Sequence, residues 1–493
     1  MARSAMAILF SSALLIRKEA HMNTNNVTFP ENGNRCMTER EYIKYCKKIK
    51  ARYARFHVPA YVEDRVGCPL PTGEVLPVTY QPAIKTIFRL GFRKYMKTHT
   101  LSGEQKKAGA MIALCGTPSM GILAQSKCSC CGTIVTTYNH CGNRNCTCGA
   151  AKRKEVEDKL VAEDYPCRHY HIVFQIPAIL RPLFWLNQKE LYSVLFNAAC
   201  HTVIEISEDE KYLGTKPGIV AVLHTWNQLI DYHPHIHVVC MAGGLDDNNK
   251  FVTYDKDKDF YIPVKVLQEV FKGKLISEII KLISKQSLTL PKEWKKYTDQ
   301  NADFIDSLKS KLYSQEWDPY IKNTDDNPDI MEYLARYINK VAIGDSRILE
   351  VTCDSVTIQY RDSADHCHQK VAVMSIDEFI GRYLMHVLPS GFQKIRHSGV
   401  LANNKKKQNL ALIRAQVGTE QIKTPKFNGM SLYEISKALW GKYLRTCPKC
   451  KHGILNTYYV ADPKYRKPKW KHMIPDLDSS LERAAAIPKP MQC

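Results

Sequence analysis

The sequence predicts an α+β protein: an antiparallel sheet with helices on one face, preceded by a small zinc-binding domain. Three observations carry that prediction. Residues 219–224 and 233–238 both read as strands and lie about nine residues apart, close enough to pair antiparallel. Stretches with apolar residues at helical spacing, such as Leu191, Val194, Leu195 and Ala198, alternate with further strand-like segments. Seven of the 18 cysteines fall between Cys115 and Cys148, ahead of the first long strand.

Taken in order, residues 1–81 form an N-terminal extension, either a small helical arm or a partly disordered lead-in, broken at Pro69, Pro71 and Gly73. Its apolar run at 5–16 resembles a signal peptide superficially. It is too short to span a bilayer and lacks a convincing cleavage site, and Met22 is a candidate start. Residues 82–160 form a helical and zinc-binding domain. Ile84, Ile87, Phe88 and Phe92 recur at helical spacing, and Ser102 with Gln105 makes a capping box. Lys85, Arg89, Arg93, Lys94 and Lys97 crowd the same segment, which fits a DNA-facing helix or an ordinary solvated face. Residues 161–400 carry the main sheet. They give a strand at 170–176, a helix at 183–206, the two strands above, a strand at 251–254 and a helix at 264–285. A polar connector at 287–326 leads to a helix at 331–341, a hairpin of 347–351 with 356–360, and a helix at 377–387. Residues 401–493 form a basic C-terminal region containing Lys405-Lys406-Lys407 and the knuckle-like Cys447-Pro448-Lys449-Cys450.

Lysine and arginine outnumber the acids by 70 to 49, a net charge of +21, which favours a polyanionic partner and above all nucleic acid. A solvated basic surface is the plainer alternative. Clustered Cys-x-x-Cys in a long lysine-rich chain points to metal binding in a reducing compartment, not to a disulfide framework. No other segment is long and apolar enough for a membrane span, so a soluble, intracellular protein with no membrane partner is expected. No glycine-rich phosphate loop of the Walker type is present, so any helicase step falls to the host.

The chemistry is concentrated in three places. On a strand, His235 and His237 of His233-Pro234-His235-Ile236-His237-Val238 share a face with their Cα atoms roughly 7 Å apart. Paired with 219–224, that strand puts His224 opposite them. Three neutral imidazoles with open positions make a catalytic metal site; histidines satisfied by ordinary hydrogen bonds are the bland alternative. In the cysteine cluster, Cys128, Cys131, Cys141, Cys146 and Cys148 supply four thiolates for a structural zinc, with His140 beside them and Cys130 as an extra thiol. Cys146-Thr147-Cys148 has one intervening residue instead of two, so Cys141 is an alternative fourth ligand to Cys148. Cys447 and Cys450 are either half a knuckle completed from afar or a plain turn. Tyr333 and Tyr337 sit one helical turn apart, about 6 Å along the axis. Such pairs commonly pack in cores, yet a phenol beside a metal-bound phosphate is also a nucleophile. Arg336 and Lys340 are placed to hold phosphates, or serve as surface charges.

Together these strings resemble the HUH superfamily of single-strand DNA nucleases. They most resemble the two-tyrosine rolling-circle transposases of bacterial insertion-sequence family ninety-one. The resemblance runs from about Lys85 to Cys450 through Cys115-Gly116-Thr117, Leu223-His224-Thr225-Trp226, the histidine strand, and Tyr333-Leu334-Ala335-Arg336-Tyr337. It also takes in His386-Val387-Leu388-Pro389 and Ile395-Arg396-His397. The resemblance implies a transposase that nicks and rejoins single-stranded DNA at element ends through a covalent 5′-phosphotyrosine. Tyr333 and Tyr337 would be nucleophiles, and His235 and His237 would bind Mg²⁺ or Mn²⁺. His224 as third ligand is a geometric inference. The zinc-binding domain would engage terminal DNA, with target DNA and host replication or helicase machinery as further partners, in a bacterial cytoplasm at the nucleoid. A plasmid replication initiator, a relaxase, or a catalytically inactive zinc-dependent DNA-binding protein are the rival readings.

Overall fold

The computed structural model describes residues 79–149, 153–155, 157–158, 167–254, 262–294, 303–315, 317, 320–323, 340–362, 365–418, 425–430, 434–435, 438, 446–461 and 474–487. The expectations for residues 1–78, including the apolar run and Met22, and for the helix at 331–341 lie outside them, apart from the last residues of that helix.

The chain opens with β1 (Thr79–Tyr80), α1 (Ile84–Thr98) and α2 (Gly103–Leu114), followed by the hairpin β2 (Ile122–Cys128) and β3 (Ile134–Tyr138). Next come β4 (His169–Gln175), α3 (Arg181–Leu186), α4 (Gln188–Glu208), β5 (Lys216–Trp226), β6 (Tyr232–Leu245) and β7 (Phe251–Thr253). Then follow α5 (Val264–Ser284), α6 (Asp303–Tyr313), β8 (Tyr320–Asn323), β9 (Ile348–Thr352), β10 (Ser355–Asp362) and β11 (His368–Ser375). The last elements are α7 (Ile376–Leu384), β12 (Ile395–Gly399), α8 (Lys406–Val417), β13 (Leu455–Val460) and α9 (Leu477–Ala485).

Among the described residues the strands form three antiparallel sheets. The main one runs β12-β5-β6-β4-β8, with β7 paired to the far end of β6. Because strand side chains alternate, Ile219, Ala221 and Leu223 of β5 and Ile236, Val238 and Cys240 of β6 join one face. They pack there with Tyr170, Ile172 and Phe174 of β4 against Leu191, Leu195, Phe196, Leu267 and Phe271 of α4 and α5. Helices were expected on one face only, and here the structure corrects the sequence. Val220, Val222, Val239 and Met241 are buried under Val400, Leu401 and Leu410 and Ile413 of α8, so helices pack on both faces at one end of the sheet. The physical reason was in the strands themselves: β5 is apolar at nearly every position, the pattern of a strand covered on two sides. The histidines lie on the same face as α8, beyond the apolar cluster under it, and His224 and His237 are themselves buried.

A second core joins α1 and α2 to the sheet β1-β9-β10-β11 and to α7 and α9. The Ser102–Gln105 capping box forms as expected, with both reciprocal bonds made. Three of the basic side chains of α1 are used internally. Arg89 donates to the carbonyls of Ala113 and Cys115, while Arg93 and Lys97 reach Asp478 on α9. These three side chains are thus engaged in intramolecular contacts.

Other departures are local. The helix expected at 183–206 breaks into α3 and α4 because Asn187 turns its side chain onto the Leu183 and Thr289 carbonyls, 2.8 Å each. The connector at 287–326 holds α6, packed on α5, and β8, paired to β4. The hairpin gains a third strand, β11. In the third sheet, β13 folds back from the C-terminal region onto β2.

Candidate metal centres and catalytic site

His224 pairs directly with His235 in the β5–β6 ladder, and Val222 pairs with His237. The turn between the strands is tight. The Asn227 side-chain oxygen accepts from the Leu229 and Asp231 backbones at 2.9 Å, and Ile230 takes a positive φ of 63°. Pro234, which cannot donate to a ladder, lies where the register shifts between His224 and Trp226. The fold therefore brings the three sequence-selected histidines together, with one ring nitrogen of each within 4.8 Å of the others.

The Nε2 atoms of His235 and His237 are 3.1 Å apart. Hydrogen-bond partners fix which nitrogens face inward. His235 Nδ1 lies 2.7 Å from the His233 carbonyl, which can only accept, so Nδ1 carries the proton and Nε2 presents a lone pair. His237 Nδ1 lies 2.8 Å from Nε2 of His171 on β4, whose ring stacks on it. With that Nδ1 protonated, His237 also turns a lone pair inward. Two lone pairs at this separation repel unless a cation lies between them. Ligands at right angles around an octahedral cation with bonds of about 2.1 Å are ~3.0 Å apart, so the pair fits a small hard divalent ion. Burial holds His235 neutral, lowering its pKa to about 4, and the Lys340 ammonium pushes the same way. His237 is lowered for the same leading reason, burial, with His224, His235, His171 and Lys340 adding to it. Neutral imidazoles are what a metal requires.

Of the other site residues singled out in the sequence, Tyr333, Arg336 and Tyr337 lie outside the described residues. Lys340 is described, and it lines a cleft beside Thr225, Trp226 and His386. Sequence reasoning gave no role to Arg144, Arg153 or Lys394, which gather on this flank. Arg144 donates to the Phe392 carbonyl, Arg153 to those of Cys146 and Thr147, and Lys394 to that of Lys340. These partners are neutral carbonyls. Burial, reinforced by Arg144 and Arg153, lowers the Lys394 pKa to about 8. No motif announces such a cluster, because its members are far apart in sequence.

The single zinc cluster expected from Cys128 to Cys148 is instead two groups of four thiols. One joins Cys141, Cys146 and Cys148 to Cys115, at the end of α2, with His140 Nδ1 3.6 Å from the Cys115 sulfur. The other joins Cys128 and Cys131 to Cys447 and Cys450. The reason is the β2–β3 hairpin. It carries Cys128 and Cys131 at its tip, away from Cys141 at its base, so the five cysteines cannot meet. In the first group Cys141 and Cys148 sulfurs are 3.7 Å apart, close to the ~3.8 Å edge of a tetrahedron built on Zn–S bonds of about 2.3 Å. Cys115 is held far below the ordinary thiol range by hydrogen bonds from Cys141, Cys146 and Cys148, while Cys146 is pushed up. Four soft donors at tetrahedral spacing fit zinc.

Comparison with known proteins gives the family. Residues 87–176 match a family described as a transposase zinc-binding domain, and residues 218–409 match one described as a putative transposase. A putative transposase from Sinorhizobium fredii is 30% identical over 77% of this chain and 96% of its own length. The transposase of insertion sequence element IS801 from Pseudomonas savastanoi pv. phaseolicola is 25% identical over 55% of this chain and 68% of its own. No solved structure matches. The chain belongs to the IS91 family of transposases, with a zinc-binding domain ahead of the transposase domain. DNA is accordingly its substrate. Among the described residues no helix is long and apolar enough to cross a membrane.

Proposed function

We propose that this transposase is an HUH-type nuclease that cuts single-stranded DNA at insertion-sequence ends through tyrosine, rejoins it at a target, and so drives rolling-circle transposition. The observation that carries the reading is the convergence of His224, His235 and His237 on one face of the main sheet. A Mg²⁺ or Mn²⁺ ion held by these imidazoles would draw charge from the scissile phosphate and steady the departing 3′ oxygen.

The remaining chemistry belongs to the chain. Tyr333 or Tyr337 attacks phosphorus through its phenol oxygen. The bond to the 3′ oxygen breaks, the phenol proton is lost and the 3′ oxygen gains one, leaving a 5′-phosphotyrosine and a free 3′-hydroxyl. That hydroxyl primes replacement synthesis by host machinery, and the second tyrosine serves the partner cleavage. Covalent reach supports the pairing. A chain extends at most about 3.6 Å per residue, so Tyr337, three residues before Lys340, has its Cα within about 11 Å of that residue's. Lys340 itself borders the cleft lined by Thr225, Trp226 and His386, and its charge acts on His235 and His237. Arg336, Lys340 and the Arg144–Arg153–Lys394 flank supply positive charge for the backbone of a single strand. The chain divides on this reading near residues 81, 160 and 400, and the zinc-binding part engages terminal DNA.

The test is a strand labelled on either side of the element end, incubated with protein and Mn²⁺. The fragment 3′ of the nick should stay with the protein through denaturation, and the 5′ fragment should be extendable by a polymerase. Tyr333→Phe/Tyr337→Phe should abolish both. An adduct of undiminished yield in that double variant removes the tyrosines from the mechanism.

A further inference from the structure

The matched zinc-binding domain ends at residue 176 and contains Cys128 and Cys131 but neither of the thiols that face them. We propose that Cys128, Cys131, Cys447 and Cys450 form a second structural zinc site. It is separate from the Cys115 centre and clasps the C-terminal strand β13 onto the β2–β3 hairpin. This goes beyond the histidine chemistry and does not depend on it.

The sulfur spacing is that of a metal site. The sulfur pairs that cross between the two knuckles, Cys128 with Cys450 and Cys131 with Cys447, are 3.6 and 3.7 Å apart. A disulfide needs about 2.05 Å. A zinc tetrahedron with bonds of about 2.3 Å needs sulfurs ~3.8 Å apart. Both Cys-x-x-Cys segments also turn backbone N–H groups onto sulfur. Cys130 and Cys131 donate to Cys128 at 3.4 Å, and Gly453 donates to Cys450 at 3.3 Å. Such bonds stabilise thiolate and hold each turn in a ligating shape. Gly453 is required by the closeness of the clasp, since a Cβ there would stand 2.3 Å from the Cys128 sulfur.

The sheet β13-β2-β3 has almost no apolar core: the buried cluster beneath it consists of Cys128, Cys447 and Leu455. Ile122, Ile134, Ile454, Tyr458, Tyr459 and Val460 are all exposed. A three-stranded sheet with so little apolar face is marginal by itself, and a structural metal supplies a staple. The ladder pairs Leu455 with Cys128, so the register of β13 is set at the clasp.

Differential alkylation of the full-length, zinc-loaded protein is the test. Cys130 and Cys131 are neighbours, both exposed, and only Cys131 belongs to the site. Iodoacetamide should label Cys130 quickly while Cys131 and Cys450 stay protected, and treatment with a strong chelator should expose all three. Metal analysis of Cys447→Ser/Cys450→Ser should find one zinc equivalent fewer than in the unaltered chain. The result that overturns the proposal is labelling of Cys131 and Cys450 at the Cys130 rate in zinc-loaded protein, or a mass showing them oxidised to disulfides. Unchanged zinc content in a soluble double variant would do the same. Because the alkylation is read on the unaltered chain, it decides the matter even if the variant does not fold.

Discussion

The inward lone pairs of His235 and His237 depend on what lies behind each ring. The spacing His-x-His makes the ladder face legible in the sequence, because a strand has period two and nothing else about it needs knowing. The orienting partners were not legible. His171 comes from another strand, and only the β4–β6 register brings it to His237. His171→Ala should therefore weaken Mn²⁺ binding by about 10- to 100-fold in calorimetry while leaving the fold intact. An unaltered affinity would mean that His237 needs no such support. Lys394 gives a pH prediction. Burial with Arg144 and Arg153 beside it brings its pKa down to about 8, so its charge is present below that pH and lost above it. Affinity for a single strand, followed by fluorescence anisotropy at fixed salt, should fall several-fold from pH 7 to 9.5, and Lys394→Arg should flatten that fall. Identical profiles for the two proteins would remove Lys394 from the DNA-binding surface.

At the scale of elements, the helices and strands with strong periodicity were legible, and the misses share a cause. The arithmetic of thiols was available: two four-ligand sites need eight. Cys115, Cys128, Cys131, Cys141, Cys146, Cys148, Cys447 and Cys450 make that number once Cys130 is set aside. Which thiols partner which depends on the β2–β3 hairpin separating its tip from its base, and spacing along the chain does not report that. Likewise, β5 was apolar on both faces, but nothing local named α8 as the second cover. The contact of α1 with α7 is another long-range fit. Gly91 lets the helices approach so closely that an added Cβ would lie 2.2 Å from Ile376 Cγ2 and 2.8 Å from Ile380 Cδ1. Gly91→Val should cost about 1–3 kcal/mol in urea unfolding, because a packed core yields poorly to inserted volume. A neutral effect would show that the two helices can part freely.

For the whole molecule, the excess of 21 positive charges is spent unevenly. Part of it closes α9 onto α1 through Arg93 and Lys97. Part of it, in Arg144, Arg153 and Lys394, meets neutral carbonyls near the cleft, and it is this part that phosphates would neutralise. DNA binding should consequently weaken steeply between 50 and about 200 mM salt, with a slope of log affinity against log salt near −0.7 for each phosphate neutralised on a single strand. Replacing Arg144 and Lys394 with glutamine should flatten that slope, whereas Arg93→Gln should not. Equal slopes in all three proteins would place the DNA elsewhere.

Peptide mapping of the trapped adduct tests most directly whether a phenol and three imidazoles act on one phosphodiester. Trypsin cuts after Arg336 and so separates Tyr333 from Tyr337. After reaction with Mn²⁺ and nuclease trimming, one of those two peptides should carry a 5′-phosphonucleotide. The mark should vanish with EDTA and in His235→Ala. A nucleotide found on any other peptide, or one that forms equally well without the metal and without His235, would contradict the account.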